Sequence, residues 1–421
     1  MGKSNGSSNV VPIILSVLAL LLAIVAVIIG VVSLLQKGTS NPVNGDTSEQ
    51  YRRGDSCNRY PCEVSCDLKK PPCNGLIFED NFDTLNLDTW QHEITAGGGG
   101  NWEFQYYINN RSNSYVRDGS LYIKPTLTED LFGPGFLNTG TLSLWGSSPA
   151  NLCTGNAWYG CQRQGNDVNY INPVQSARIR TVHSFAFKYG KVEVRARMPV
   201  GDWLWPAIWL LPRRNSYGEW PASGEIDIVE SRGNLFYTDP SGTSVGVDQM
   251  GSAMHWGPFY PNNKYPLTHA SKNLENGDHF GKGFHKYGLE WTPFNIKFFV
   301  DDEEILKADP GPYGFYDFGK FGEELPNTHN PWANSPNKMA PFDQDFYIIM
   351  NVAVGGTGGY WDDSNTNQPY PKPWVDSSPT GPKDLWLAKD EWYPTWNPDV
   401  NNGEGAAMQV DYIRVWAHGS Y

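Results

Sequence analysis

The stretch Trp220-Pro-Ala-Ser-Gly-Glu225-Ile-Asp227-Ile-Val-Glu230-Ser-Arg-Gly-Asn234 sets three acids among branched apolar residues. Side chains on a flat strand alternate faces, so Glu225 and Asp227 share one face while Ile226 and Ile228 point into a core. Strict alternation would then put Val229 beside the acids and send Glu230 inward. A single-residue β-bulge near Ile228–Val229 restores the pattern, with Val229 underneath and Glu230 back on the acidic face. An ordinary strand with a solvated acidic face is the plainer alternative. The Ile-x-Ile-Val filling and the preceding Trp220-Pro221 argue against it.

Working outward, the chain from Ile77 onward reads as short strands punctuated by Gly, Pro, Asn and Asp. Val192, Val194, Ala196 and Met198 alternate with Glu193, Arg195 and Arg197, a period of two. Leu121 and Ile123 alternate with Tyr122 and Lys124. Ile296, Phe298 and Val300 run into Asp301-Asp302, a hairpin turn, before Ile305. Phe346 to Val354 is apolar on both faces and suits a strand buried on both sides. Beyond the N-terminal region no stretch keeps a helical period, so the pattern predicts an all-β sandwich. Long irregular insertions fall at Leu131–Pro173, Gly257–Lys282, Tyr313–Gln344 and Gly358–Glu404. The last is dense in aromatics (Tyr360, Trp361, Tyr370, Trp374, Trp386, Trp392, Trp396) and reads as a wall beside a cleft.

The whole chain has 421 residues, a net charge of −13 and 17 tryptophans. Its acidity argues against nucleic acid as a partner, because nothing here could neutralise a run of phosphates. Abundant Trp and Tyr with few charges suit a surface that stacks on sugar rings, although aromatics more often fill cores. Val10 to Leu35 carries no charge and is long enough to cross a bilayer as a helix. It exceeds the apolar core of a signal peptide, about 7–15 residues. The expected organisation is a cytoplasmic tail over 1–9, a transmembrane signal anchor over 10–35 and a flexible stalk over 36–56. A Cys-rich segment over 57–73 and a folded domain over 74–421 follow. Lys3, Lys37, Arg52 and Arg53 leave the orientation nearly neutral. The cysteines tip it towards a single-pass type II protein with the domain outside the cytoplasm, or a secreted one if the segment is cleaved.

Six cysteines fall in two groups, Cys57, Cys62, Cys66 and Cys73, then Cys153 and Cys161. An even count beyond an anchor points to disulfides rather than a zinc knuckle. Cys153–Cys161 is the expected pair; the other four allow three connectivities. Asn110-Arg111-Ser112 is a glycosylation acceptor.

Glu-Ile-Asp-Ile-Val-Glu resembles the signature of glycoside hydrolase family 16 in its bulged, laminarinase-like form. The resemblance extends to Asn101-Trp-Glu-Phe-Gln-Tyr-Tyr107, Ser176-Ala-Arg-Ile179, Tyr189-Gly-Lys-Val-Glu-Val-Arg195 and Gly201-Asp-Trp-Leu-Trp-Pro-Ala-Ile-Trp209. It continues through Phe284-His-Lys-Tyr-Gly-Leu-Glu-Trp291, Asn351-Val-Ala-Val-Gly-Gly356 and Val410-Asp-Tyr-Ile-Arg-Val-Trp416. It covers the chain from about Asn74 to the C-terminus. The branch it looks most like holds animal β-1,3-glucanases and their non-catalytic cousins, the β-1,3-glucan-recognition proteins. The implied fold is a concanavalin-like β-jelly roll of two curved antiparallel sheets, with the site on the concave face.

The resemblance makes Glu225 the nucleophile and Glu230 the general acid/base of a retaining hydrolysis. Chemistry requires one ionised and one protonated carboxyl in such a pair. Asp227, between them, is placed to orient the nucleophile and help keep Glu230 protonated. Trp220 and Trp205 are expected to face the sugars, with Trp209 in the core. Asn101, Arg178, His255 and Trp291 resemble residues that bind or flank the glucan, whereas His285 reads as structural. Relatives carry calcium on the convex side, at positions matching the backbone carbonyls of Asn81 and Gly119 and the carboxylate of Asp411; no cofactor is required. The leading expectation is a retaining endo-β-1,3-glucanase acting on laminarin-like glucan at a membrane surface. A non-catalytic glucan-recognition receptor and a glucan transglycosylase are the rivals. Non-catalytic cousins typically lose one or more of the three acids, and this chain keeps all three.

Overall fold

The computed structural model describes residues 75–419. Two antiparallel sheets dominate. The first has seven strands in the spatial order His269–Asn273, Gln249–His255, Glu225–Ser231, Leu204–Pro212, Phe346–Val354, Arg178–Arg180, Gln91–His92. The second has eight strands. Seven run in the order Glu303–Ala308, Ile296–Val300, His285–Trp291, Gly190–Arg197, Met408–Ala417, Ser120–Ile123, Ser114–Arg117, and Leu76–Asp80 also pairs with Met408–Ala417. The fold is the expected all-β jelly roll.

Alternation explains the packing. Gly190–Arg197 buries every second residue, and Val192, Val194 and Ala196 meet Ile208, Leu210, Ile226, Met350 and Val352 of the other sheet in one apolar core. Phe346–Val354 is buried throughout. Its outward residues Tyr347 and Ile349 pack with Ala207 and Trp209 in a second, smaller layer on the open face of the seven-stranded sheet. Asp301 and Asp302 both take left-handed φ, 48° and 69°, as a two-residue hairpin turn demands.

The insertions depart from the sequence reading in two places. Gly257–Lys282 supplies the edge strand His269–Asn273, too polar and short to show an apolar alternation. In Gly358–Glu404 four of the five tryptophans go to the core, while Tyr360 stacks on Trp205 at 3.6 Å. Trp361, Trp374, Trp392 and Trp396 are buried, and Trp361 and Trp374 pack edge-on to Trp203 at 5.4 and 5.0 Å. Leu131–Pro173 carries the hairpin Thr141–Ser143/Gln162–Gln164 and the expected Cys153–Cys161 disulfide.

Among the described residues no helix is long and apolar enough to cross a membrane. The expected tail, anchor at 10–35, stalk at 36–56 and cysteines 57, 62, 66 and 73 lie outside the described residues.

Candidate active site

The bulge is where the sequence puts it. Towards Gln249–His255, Asp227 faces Ala253 and Glu230 faces Gly251, so Ile228 and Val229 together oppose Ser252. Towards Leu204–Pro212, Trp209 faces Asp227 and Ile208 faces Val229, leaving Ile228 as the extra residue. Both apolar side chains are fully buried, and the Ser252 hydroxyl donates to the Ile228 carbonyl at 2.6 Å. That bond satisfies a carbonyl displaced from the ladder. Glu225, Asp227 and Glu230 consequently share the open face.

Each acid has its own surroundings. Trp220 Nε1 donates to Glu225 Oε2 at 2.9 Å, and Trp205 Nε1 donates to Glu230 Oε1 at 2.8 Å. Asp227 is 3% exposed. Its Oδ2 lies 3.1 Å from His255 Nε2, an ion-pair contact without the alignment of a hydrogen bond. Burial pushes the Asp227 carboxyl well above the ordinary range, Glu225 adds to the rise and His255 opposes it. Burial also raises Glu230, with His255 and the Trp205 bond working against it and Glu225 with it. The upward direction is the one a general acid needs.

His255 links these groups. Burial disfavours its charge, but Asp227, Glu225 and Glu230 outweigh burial and bring its pKa up to about 9. Asn263 pulls the other way. Its Oδ1 accepts from the amides of Trp256 at 3.2 Å and Tyr265 at 3.1 Å, so its Nδ2 faces His255 Nδ1 at 2.7 Å. A neutral ring protonated at Nε2 accepts that bond, whereas an imidazolium would set two donors face to face. His255 Nε2 is also 4.0 Å from Glu225 Oε1. Glu225, Asp227 and His255 form a compact donor group.

Across the sheet, Glu230, Ala207, Asn351 and Arg178 stand in one row of paired residues. Trp209 Nε1 donates to Asn351 Oδ1 at 2.8 Å, and the Arg178 guanidinium lies 4.6 Å from the Trp209 ring. Arg178 is buried and paired with Glu93 at 3.4 Å. Trp209 is thus not in the main core but on the open face, where it packs with Ala207, Tyr347 and Ile349. Trp205 is itself 7% exposed, its ring stacked 3.6 Å from Tyr360. Asn101 sits at the end of the 98–101 turn, and its backbone carbonyl accepts the Thr357 amide at 3.0 Å.

Trp291 does not line the site. It is fully buried in the core between the sheets, packs against Phe187, Tyr189 and Phe346, and donates to the Phe342 carbonyl at 3.0 Å. Asn351 and Asn263 were not singled out by the sequence reading. A polar side chain in the middle of the apolar run Phe346–Val354 was a signal for the first. None existed for Asn263, which arrives from a loop.

The strand registers bring Asn81, Gly119 and Asp411 together midway along Met408–Ala417, where its pairing passes from Ser120–Ile123 to Leu76–Asp80. The Asp411 carboxylate already pairs with Arg195, and Asn81 Oδ1 accepts from Arg414. Calcium takes six to eight oxygens, and of these three residues only Asp411 offers a carboxylate. Asn110 is half-buried, its Oδ1 accepting the Ser112 amide at 2.9 Å.

The family model for glycosyl hydrolases family 16 matches residues 157–311. A β-1,3-glucan-binding protein of Penaeus monodon is 53% identical over 364 residues, covering 86% of this chain and 92% of that protein. This chain belongs to glycoside hydrolase family 16, in its laminarinase-like branch. A second relative, β-1,3-glucan-binding protein 1 of Galleria mellonella, is 35% identical, covering 86% of this chain and 68% of that protein. Glucan endo-1,3-β-glucosidase A1 of Niallia circulans is 32% identical over 67% of this chain and 34% of its own length. The laminarinase catalytic domain from Thermotoga maritima overlays with a TM-score of 0.48 at 23% identity, covering 81% of this chain and 97% of that one.

Proposed function

We propose that this family 16 chain binds β-1,3-glucan along the open face of its seven-stranded sheet. The observation that carries the reading is Trp220, 38% exposed, with its indole nitrogen on Glu225. A sugar stacked on that indole would sit beside the acids. Tyr260, 6.1 Å from Trp220 and largely exposed, extends the aromatic surface. The animal relatives named for binding β-1,3-glucan support the same ligand.

Retaining endo-hydrolysis is the second reading, and the three acids with their distinct environments favour it. Glu225 would attack the anomeric carbon while Glu230 protonates the departing glycosidic oxygen. Glu230, then ionised, would take a proton from water as that water displaces the glycosyl group from Glu225. A sugar hydroxyl in place of water would give transglycosylation. Asp227 and His255 would set the charge around both carboxyls. We also propose that the 10–35 segment displays the domain on a membrane.

The test is a binding isotherm for laminarin together with a reducing-end assay. Laminarin should bind, and release of reducing ends should fall by about 10³-fold or more in Glu225→Gln and Glu230→Gln and markedly in Asp227→Asn. Binding without release by the parent protein leaves recognition and removes hydrolysis. Absence of binding removes both.

A further inference from the structure

Beyond the edge strand Gln91–His92 lies a feature outside the acid-bearing row. Trp102 and Trp158 are 49% and 61% exposed, and their rings meet at 4.9 Å. Tyr159, next in the chain, is 80% exposed. Exposed tryptophans in contact are costly to leave in water and are a common stacking surface for sugars. All three residues have left-handed φ, 53°, 56° and 60°. Bulky side chains rarely adopt that region, and such strain persists where the surroundings hold it in place, often at ligand clamps.

The surroundings do hold it. The Cys153–Cys161 disulfide closes the loop that carries Trp158. The loop is tied to the segment leaving the sheet edge by Thr154 N to Ile94 O at 2.9 Å, Ala96 N to Gly160 O at 2.7 Å and Thr95 Oγ1 to Gly155 O at 2.7 Å. Arg163 Nη2 donates to the Trp158 carbonyl at 3.3 Å, while its Nε is buried without a partner. Under Trp102 opens a cavity of about 400 Å³ lined in part by Glu103, Arg163, Thr380 and Lys383. Donors beneath an aromatic rim match a polyhydroxylated ring with apolar faces.

This surface connects with the acid-bearing row. Glu103, on the cavity wall, accepts from Tyr107 Oη at 3.2 Å, and the Tyr107 ring lies 5.4 Å from the Arg178 guanidinium. Arg178 ends the row that begins at Glu230, and Glu93 follows it at the sheet edge, its amide donating to the Arg178 carbonyl at 2.8 Å. Four strand spacings separate Glu230 from Glu93, roughly 19 Å.

We propose that Trp102, Trp158 and Tyr159 form a second subsite for a β-1,3-glucan chain whose other part lies over the acids. The proposal rests on the glucan reading of the open face. Short oligosaccharides occupy the acid-bearing face alone, whereas long chains engage both regions and gain affinity by tethering.

The test uses the Glu225→Gln protein, so that cleavage does not alter chain length, with laminaritriose and laminarin as probes. The parent should bind laminarin more tightly than laminaritriose. Trp102→Asn with Trp158→Asn, chosen because Asn tolerates left-handed φ, should weaken laminarin about tenfold. Laminaritriose affinity should stay unchanged, which also reports an intact fold. Equal loss for both probes, or no loss for either, overturns the second subsite and leaves the glucan reading standing. A variant that changes only the sedimentation of the free protein makes the patch a self-association surface and overturns the subsite. No binding of either probe by the parent overturns the glucan reading and the subsite with it.

Discussion

His255 is held between opposing demands. Three carboxylates favour its cation, while Asn263, fixed by two backbone amides, favours the neutral ring. The pKa of about 9, above the ordinary 6.5, sets the sign of a stability effect. A raised folded-state pKa stabilises fully below the unfolded value and is lost as pH rises through the folded one. The melting-temperature advantage of the parent over His255→Gln should therefore be largest below pH 6.5 and close towards pH 9. A gap independent of pH would mean that the ring is neutral throughout. The same residue illustrates the reach of sequence: the family resemblance points to His255 as a site residue, but nothing in the sequence points to its partner Asn263.

At the scale of elements, the Glu225–Ser231 strand works through one extra residue. Without the bulge at Ile228, strict alternation would turn Glu230 into an apolar core, where a carboxyl without partners is costly. The bulge is closed by the buried Ser252 hydroxyl on the Ile228 carbonyl. Ser252→Ala leaves that carbonyl short of a donor. It should cost about 1–2 kcal/mol in denaturant unfolding. It should also lower any hydrolysis, because Glu230 is then less firmly aimed. Unchanged stability would show that the bulge closes by other means. The bulge was legible because three acids and three apolar residues in six positions fit no unbulged two-sided strand. The edge strand His269–Asn273 was not, since its pairing with Gln249–His255 is fixed by the neighbour rather than by its own residues.

For the whole molecule, the two sheets bury one core and leave the acid-bearing face open, with aromatic surfaces near Trp220 and at Trp102–Trp158. If the 10–35 segment spans a bilayer, the full-length protein should stay with membranes through alkaline carbonate washing. Release by that wash would remove the anchor.

The amino-acid sequence by itself determined the strand periodicity, the acid-bearing bulge, the Cys153–Cys161 pair and the family. These depend on near neighbours in the chain, where alternation and spacing act directly. Tertiary structure decided which aromatic faces which side. Trp291 and Trp361 went to the core, Trp209 to the open face, and Trp102 and Trp158 to the surface. An indole fits a core or a sugar equally well, and only the partners that the fold brings to it settle which.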